Sequence, residues 1–586
     1  MNTYEVVRHA ERLPAIAEEI AQAEVISLDL ETTGLTPHSS KIRLLSINTG
    51  KGVYVIDAFA TGTLEPVIQA LRDSKGVKVG HNLKFDQKFL LHYFDLELWP
   101  IFDTYRASCL VYNGQFMGKG TQDLYALYSR ELQIGPEAPE NGASDWTSPV
   151  LNQGQLDYAA EDVIHLPKLR DSLKPKLREN RLNSVAMIEF HAILPEAAME
   201  LAGFAFDKEA WLRLAESNGV QAKKLQRELL HELPHPAKQI ALPGFDPDFN
   251  LNSPDQLLKS LRMIGLRIDN TSEITLAMCA KDFPIIKKIL EWRGYSQSVK
   301  TFGVEYLKHI SPVTQRIHTN YYPFTGAGRY ASSDPNLQQI PRKKEFRACF
   351  RAPPGKKLVV SDYSQIELRI AAELAEDETL MGVYQRGEDA HAQTASLVSN
   401  IPLDQVKKEQ RQMAKAVNFG LIYGMAAPKL VQYAQANYGV SMSVPEAETF
   451  RNRYFEGYAG IKSWHRDIFS DHNKRSGMTR TVAGRLRYLK PESHNEFANT
   501  PVQGTGADGL KCSLWLVYER MKKYNGAARM IHMVHDEIIV EADEDPDLLK
   551  SVQRDLEEGM IEGIQPMLRK VPVVVEGGIG ESWAEK

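Results

Sequence analysis

The sequence predicts an α/β domain over roughly the first 180 residues, followed by a larger region of mixed α+β character with long helical stretches. Three observations carry this reading. Strand-like and helix-like segments alternate up to about residue 170. Long helical patterns follow from 181 to 310. Strand-like runs then return after 311, on either side of a mostly helical block at 376–475.

Within the first domain, Val25-Ile26-Ser27-Leu28-Asp29-Leu30, Ile42 to Asn48 and Val53 to Ile56 read as short strands separated by turn residues, and Gln87 to Phe94 and Gln153 to Arg170 read as helices. Ser184 to Leu201 and Lys208 to Leu233 have helical spacing and lead into a loop holding Pro234, Pro236, Pro243 and Pro247. The segment 251–310 is again helical and fairly basic, and Lys357 to Ser361 and Met530 to Val534 are strand-like. No internal repeat or low-complexity tract interrupts the chain.

Composition narrows the function classes. With 586 residues, 43 % apolar and 25 % charged, the chain is not disordered. Its net charge of −5 confines any phosphate-binding surface to a local patch. Cys109, Cys279, Cys349 and Cys512 lie far apart, so neither a disulfide framework nor a zinc site is expected. Without an apolar run near 18 residues or a signal pattern, the expectation is a cytoplasmic protein with no membrane partner.

Two constellations carry chemistry. In the first, Asp29 and Glu31 sit two apart at a strand end, so both carboxylates share a face. In His81-Asn82-Leu83-Lys84-Phe85-Asp86, helical spacing would align Asn82 with Asp86. In Tyr158-Ala159-Ala160-Glu161-Asp162 it would align Tyr158 with Asp162. Hard oxygen ligands of this kind suit Mg²⁺ or Mn²⁺, and two such ions about 3.5–4 Å apart suit phosphodiester hydrolysis. A single D-x-E is commonly just a solvent-facing strand end; the ordered set is more specific. It resembles a DEDD-type 3′→5′ exonuclease of the tyrosine subclass. The resemblance implies metal ligation by Asp29, Glu31, Asp86 and Asp162, and a water-orienting role for Tyr158.

In the second, an apolar strand ends on Asp362 within Val359-Val360-Ser361-Asp362-Tyr363-Ser364-Gln365-Ile366-Glu367. A strand–turn–strand pattern carries His535-Asp536-Glu537 at its tip. The two aspartates could meet at neighbouring strand ends. Between them Arg411, Lys415, Phe419 and Tyr423 recur every four residues, a stripe on one helix face. Cations near a helix N-terminus suit a polyphosphate, and the aromatics suit a stacked base. An aromatic stripe is more often core, but these cations would then be buried unpaired.

Together these segments resemble motifs A, B and C of a family A DNA polymerase, and Thr325-Gly326-Ala327-Gly328-Arg329-Tyr330 to Pro341 is similar to that family's template–primer segment. The resemblance implies a ribonuclease H-like exonuclease domain at 1–180, then a right-hand α+β polymerase: thumb 181–310, palm 311–375 and 476–586, fingers 376–475. It implies two Mg²⁺ per active site (Mn²⁺ can substitute), held in the palm by Asp362, Asp536 and the Tyr363 carbonyl, with Glu537 in the catalytic set. Arg411, Lys415 and His391 would clamp the triphosphate, Lys415 doubling as general acid. Phe419, Tyr423 and Gln365 would lie at the incoming deoxynucleotide, and Glu367 would be the steric gate against ribose. Arg329, Gln503, Asn499, His535 and Arg293 would contact DNA. The implied partners are primer–template DNA, dNTPs and a single-stranded 3′ end, acting on a monomer with a possible replisome or processivity partner. The layout resembles a large fragment without a 5′-nuclease domain. Asn495 stands where many relatives carry Arg.

Overall fold

The computed structural model describes residues 4–585, apart from 117, 119, 136–143, 235–248 and 324. Beyond Pro234, the proline-rich loop read at 234–247 lies outside the described residues. Strands β1 (Glu5–Val7), β2 (Val25–Thr32), β3 (Ile42–Asn48), β4 (Val53–Asp57), β5 (Val77–Gly80) and β6 (Ile101–Asp103) form one sheet in the order β1-β4-β3-β2-β5-β6. Every residue of β3 is buried, including Arg43, whose guanidinium is paired with Asp57 of β4. Central β2 alternates toward its end: Leu28, Leu30 and Thr32 are buried, while Asp29 and Glu31 share the more open face.

Two helices differ from expectation in their limits. The one read at Gln87–Phe94 begins at Lys84. The one read at Gln153–Arg170 is two, Gln153–Ile164 and Leu166–Glu179. Pro167 is the cause: lacking an N–H, it fits the first turn of a new helix better than the interior of an old one.

The helix Asn183–Ala202 joins the two halves of the molecule. Val185, Phe190 and Ile193 belong to the N-terminal core, and Met199 to the main core of the C-terminal half. A helical excursion then leaves at β7 (Phe204–Ala205) and returns at β8 (Arg316–Ile317), which pair antiparallel. It has a core of its own around Leu229, Leu257, Leu276, Ile289 and Trp292.

Beyond it come β9 (Asn320–Tyr322), β10 (Ala331–Ser333), β11 (Lys356–Tyr363), β12 (Met478–Arg480), β13 (Leu486–Tyr488), β14 (Ala528–Val534), β15 (Glu537–Asp543) and β16 (Val575–Gly580). An antiparallel sheet with the order β14-β15-β11-β16 is covered on both faces. Leu358 and Val360 of β11 point into a cluster with Trp583, and Val359 and Tyr363 point into the larger one. Helices from Ile366 to Ser476 form the block inserted between β11 and β12.

A buried ionic network ties the halves together. Glu189 and Glu196 of the connecting helix pair with Arg106 of the N-terminal domain. Glu189 also pairs with Arg485 and Lys511 of the C-terminal half. Nearby, Lys84 and Lys88 pair with Glu200.

Candidate active sites

The first site forms at the end of β2. Carboxylate oxygens of Asp29, Glu31 and Asp162 all lie within 4.8 Å of one another. Asp86 stands alongside, its Oδ1 accepting the Leu30 N–H at 2.9 Å, between the two strand acids. Asn82 does not share a helical face with Asp86. It precedes the helix with φ 60°, and Asp103 accepts the N–H groups of Asn82 at 3.3 Å and Leu83 at 2.8 Å. That left-handed turn, with its N–H groups held by Asp103, is what keeps Asn82 out of the helix that begins at Lys84.

Four acids held this close repel one another. Burial, reinforced by the neighbouring carboxylates, pushes Asp29 well above the usual range and Glu31 up to about 9. Burial likewise raises Asp86 to about 8, against backbone hydrogen bonds that lower it. Asp162 rises only to about 6, because burial is opposed by the Tyr125 and Tyr158 hydroxyls. This donor set fits a hard divalent cation, whose charge would relieve the repulsion. Tyr158 and Asp162 share one face of the Gln153–Ile164 helix, as their spacing requires.

A cavity of about 1110 Å³ opens onto Asp29, Tyr158 and Asp162 and is lined also by Lys84, Lys88 and Tyr125. Its far wall, Asn320 to Pro323, comes from the C-terminal half. Sequence reasoning missed Tyr125 and this wall. Tyr125 belongs to no spaced motif, and the wall comes from a residue pairing more than 200 positions apart.

The second site lies where β11 and β15 end. Asp362 is the register partner of Glu537, and the Tyr363 N–H donates to the Asp536 carbonyl at 3.2 Å, so the two aspartates stand on adjacent chain ends. His535 and Asp536 are the two-residue turn of the β14–β15 hairpin, and His535 has φ 56°, as a tight turn of this hand needs. The Tyr363 side chain is locked by Ser513 and the Met560 carbonyl, each at 2.6 Å. Gln365, with φ 54°, opens the Ile366–Ala375 helix that carries Glu367. A left-handed glutamine there is a strained conformation of the sort that collects at functional sites.

A cavity of about 660 Å³ is lined by Asp362, Asp536, Glu537, Gln365, Glu367, Lys415, Phe419, Gln503, His535 and Arg329. On the Lys408–Leu421 helix, Arg411, Lys415 and Phe419 are half-buried while Met413, Ala414, Ala416 and Val417 are buried. The stripe is therefore the open face and the alternate face is core. Tyr423 lies past the helix end, where the chain turns; its hydroxyl donates to Glu367, and Gln503 bonds the same hydroxyl. Arg329 pairs with the other oxygen of Glu367.

Other residues are placed less simply. Arg411 is held by Asp389, the N-cap of the next helix back. His391 is buried, bonded to Asn418 at 3.0 Å, and burial pushes it down to about 4, so it would meet a ligand as a neutral ring. Glu537 accepts the Trp583 indole N–H at 2.6 Å. Asn499 has its Oδ1 buried with no partner among the described residues. Arg293 bonds the Thr271 carbonyl and lines a separate groove of about 650 Å³ with Asn252, Gln297 and Lys300. Arg342 and Arg347, which also line the second cavity, were not singled out from the sequence. Among the described residues, no carboxylate lies within ion-pairing distance of Lys415 or Arg342.

Residues 4–178 match the 3'-5' exonuclease family and residues 220–585 match DNA polymerase family A. The DNA polymerase I of Aquifex aeolicus is 32 % identical over 609 residues, covering 99 % of this chain and 100 % of that one. The DNA polymerase I of Pseudomonas aeruginosa is 30 % identical over 647 residues, covering 99 % of this chain and 66 % of that one. The thermostable DNA polymerase I of Thermus aquaticus is 34 % identical over 416 residues, covering 66 % and 46 %. Among solved structures, the POL domain of Pol1 from M. smegmatis, in complex with DNA primer-template and dNTP, superposes with a TM-score of 0.83 at 24 % identity over 99 % of each chain, a likeness of fold. Each acidic site falls inside one of the two matched regions; the chain belongs to the family A DNA polymerases and joins DNA-templated DNA synthesis to 3′→5′ exonucleolytic proofreading.

Proposed function

We propose that Asp362, Asp536 and the Tyr363 carbonyl hold two Mg²⁺ ions for nucleotide addition, and that Asp29, Glu31, Asp86 and Asp162 hold two for exonucleolysis, with Mn²⁺ able to substitute. Bound there, the metals would supply charge stabilisation at the reacting phosphate and an acidified hydroxyl or water. The observation that carries the reading is the meeting of Asp362 and Asp536 at adjacent strand ends, across a cavity from the carboxylate-free Lys415. Lys415 and Arg411 bind the triphosphate, which takes Arg411 from Asp389. Lys415 is placed to give a proton to the departing pyrophosphate. Neutral His391 adds a hydrogen bond, not a charge. Phe419 offers a face to the incoming base.

Arg329, Gln503, Asn499 and His535 contact the primer–template. The unpartnered Asn499 oxygen supports that role, since a buried acceptor without a donor is costly until a ligand supplies one. Arg293, with Lys300, grips the duplex farther out. In hand terms the thumb is read at 181–310, its Asn183–Ala202 helix serving as the base packed between the two halves, with 311–375 and 476–586 the palm and 376–475 the fingers. Tyr158 orients the attacking water at the single-stranded 3′ end. The chain acts inside the cell, where its DNA substrate is, as a monomer. Among the described residues, no helix is long and apolar enough to cross a membrane.

The test is a time course on a labelled primer–template with Mg²⁺, with and without the four dNTPs. Extension with them and 3′ shortening without them is expected; shortening in both conditions would overturn the polymerase assignment. A second prediction concerns the sugar. Glu367 ties Tyr423 to Arg329 across the cavity. Glu367→Ala should lower overall synthesis and raise the ribonucleotide-to-deoxynucleotide ratio of kcat/KM by about 10- to 100-fold, the range one ill-fitting hydroxyl commands. An unchanged ratio would reject the gate.

A further inference from the structure

The exonuclease site contains a hydroxyl that no spaced motif supplies. Tyr125 lies on the short helix Leu124–Leu127, at the edge of the cavity that holds Asp29, Tyr158 and Asp162. Its hydroxyl donates to Asp162 Oδ1 at 2.7 Å. Tyr128, one turn on, is fully buried and donates to the Asp162 main-chain carbonyl at 3.1 Å.

The two contacts divide the work on one residue. Asp162 lies in the last turn of the Gln153–Ile164 helix, where carbonyls have no partner within the helix. Tyr128 satisfies that carbonyl and so fixes the backbone, while Tyr125 fixes the side chain. The rings support one another: Tyr125 packs edge-on to Tyr128 at 5.8 Å and tilted against Tyr158 at 6.3 Å. The wider turn Tyr128–Leu132 follows directly. A turn of this kind, rare in helices, is often found beside functional sites. Leu127 and Tyr128 anchor the segment in the N-terminal core, so Tyr125 is presented from a rigid base.

We propose that Tyr125 is a positioning residue of the exonuclease site, holding the Asp162 carboxylate in the orientation its metal requires. Tyr125 pins Asp162 Oδ1, and the Tyr158 hydroxyl bonds the same carboxylate, so two hydroxyls together set its orientation toward the cation. The inference rests on reading Asp162 as a metal ligand. Partners that orient a ligand in this way typically change metal affinity or activity by about 10- to 100-fold when removed.

The test compares Tyr125→Phe with Asp162→Asn in the full chain. Tyr125→Phe keeps the ring packing and removes only the hydroxyl. Its kcat on single-stranded DNA should fall about 10-fold with KM unchanged, and raised metal concentration should restore most of the rate. In a chain also carrying Asp362→Ala and Asp536→Ala, Mn²⁺ binding followed by electron paramagnetic resonance should weaken about 10-fold on adding Tyr125→Phe. Primer extension by the single variant should match the parent, showing that the fold is intact. A rate and Mn²⁺ affinity within twofold of the parent would overturn the inference, as would a change in KM alone. If Asp162→Asn itself degrades DNA at the parental rate, the metal-ligand reading falls with it. If Asp162→Asn is inactive and Tyr125→Phe is not, only the inference about Tyr125 falls.

Discussion

Asp362→Ala will reduce primer extension by about 1000-fold or more, the scale of losing charge stabilisation at the reacting phosphate, and will leave degradation of single-stranded DNA at the parental rate. The paired change Asp29→Ala with Glu31→Ala will do the reverse. The separation follows from the architecture: Asp362 ends a strand of the four-stranded C-terminal sheet, and Asp29 and Glu31 end a strand of the six-stranded N-terminal one. Neither substitution removes a ladder hydrogen bond, because both sheets are held by main-chain groups. The paired change has a second consequence. A carboxyl whose folded pKa is raised opposes folding increasingly as pH climbs from its unfolded value toward its folded one. For Glu31 that window runs from 4.5 to about 9. At pH 7.5 in EDTA the Asp29→Ala, Glu31→Ala chain should therefore melt above the parent. Loss of both activities from either variant would refute independent sites, and an unchanged melting temperature would refute the repulsion among the acids.

Much of this was legible in the sequence because local period fixes local direction. Asp29 and Glu31 share a face because a strand repeats every two residues, and Arg411, Lys415 and Phe419 share one because a helix nearly repeats every four. The limits of that logic are equally local. Asn82 has helical spacing to Asp86 but adopts φ 60°, since its N–H and that of Leu83 are drawn to Asp103, far along the chain. Tyr423 continues the four-residue count past the helix end at Leu421, and reaches Glu367 by a turn instead. Arg411 reads as a free cation until Asp389 is seen to hold it. Tyr125, Arg342 and the wall from Asn320 to Pro323 have no signature, because they are brought in by tertiary packing alone. The same is true of the charges that join the two halves.

Those charges set up the opposite kind of experiment, in which one change should impair both activities together. Glu189 is fully buried on the connecting helix. It is shared by Arg106 from the N-terminal domain and by Arg485 and Lys511 from the C-terminal half. Arg485 also has Asp508 and Arg106 also has Glu196, while Lys511 bonds the Pro323 carbonyl at 2.9 Å and lies over the Tyr330 ring at 5.0 Å. Removing one member of a buried ion network leaves charge stranded where water cannot reach it, and Glu189→Gln should cost about 3–5 kcal/mol, read as a fall of several degrees in melting temperature. Burial alone would raise the Glu189 carboxyl, yet Lys511, Arg485 and Arg106 together hold it down to about 2. A lowered carboxyl stabilises the fold above its unfolded value, and that contribution is lost as pH falls from 4.5 to about 2. Acid unfolding of the parent should therefore steepen in this window, and that of Glu189→Gln should be flatter. The functional reach is as wide. Pro323 lines the exonuclease cavity, and Tyr330, beside Arg329 in the polymerase cavity, donates to Glu196 at 2.6 Å. Disturbing Glu189 loosens the scaffold of both cavities, so extension and degradation should decline in parallel as temperature rises. A variant that melts with the parent, or that loses one activity while keeping the other, would show that the network does not join the two sites.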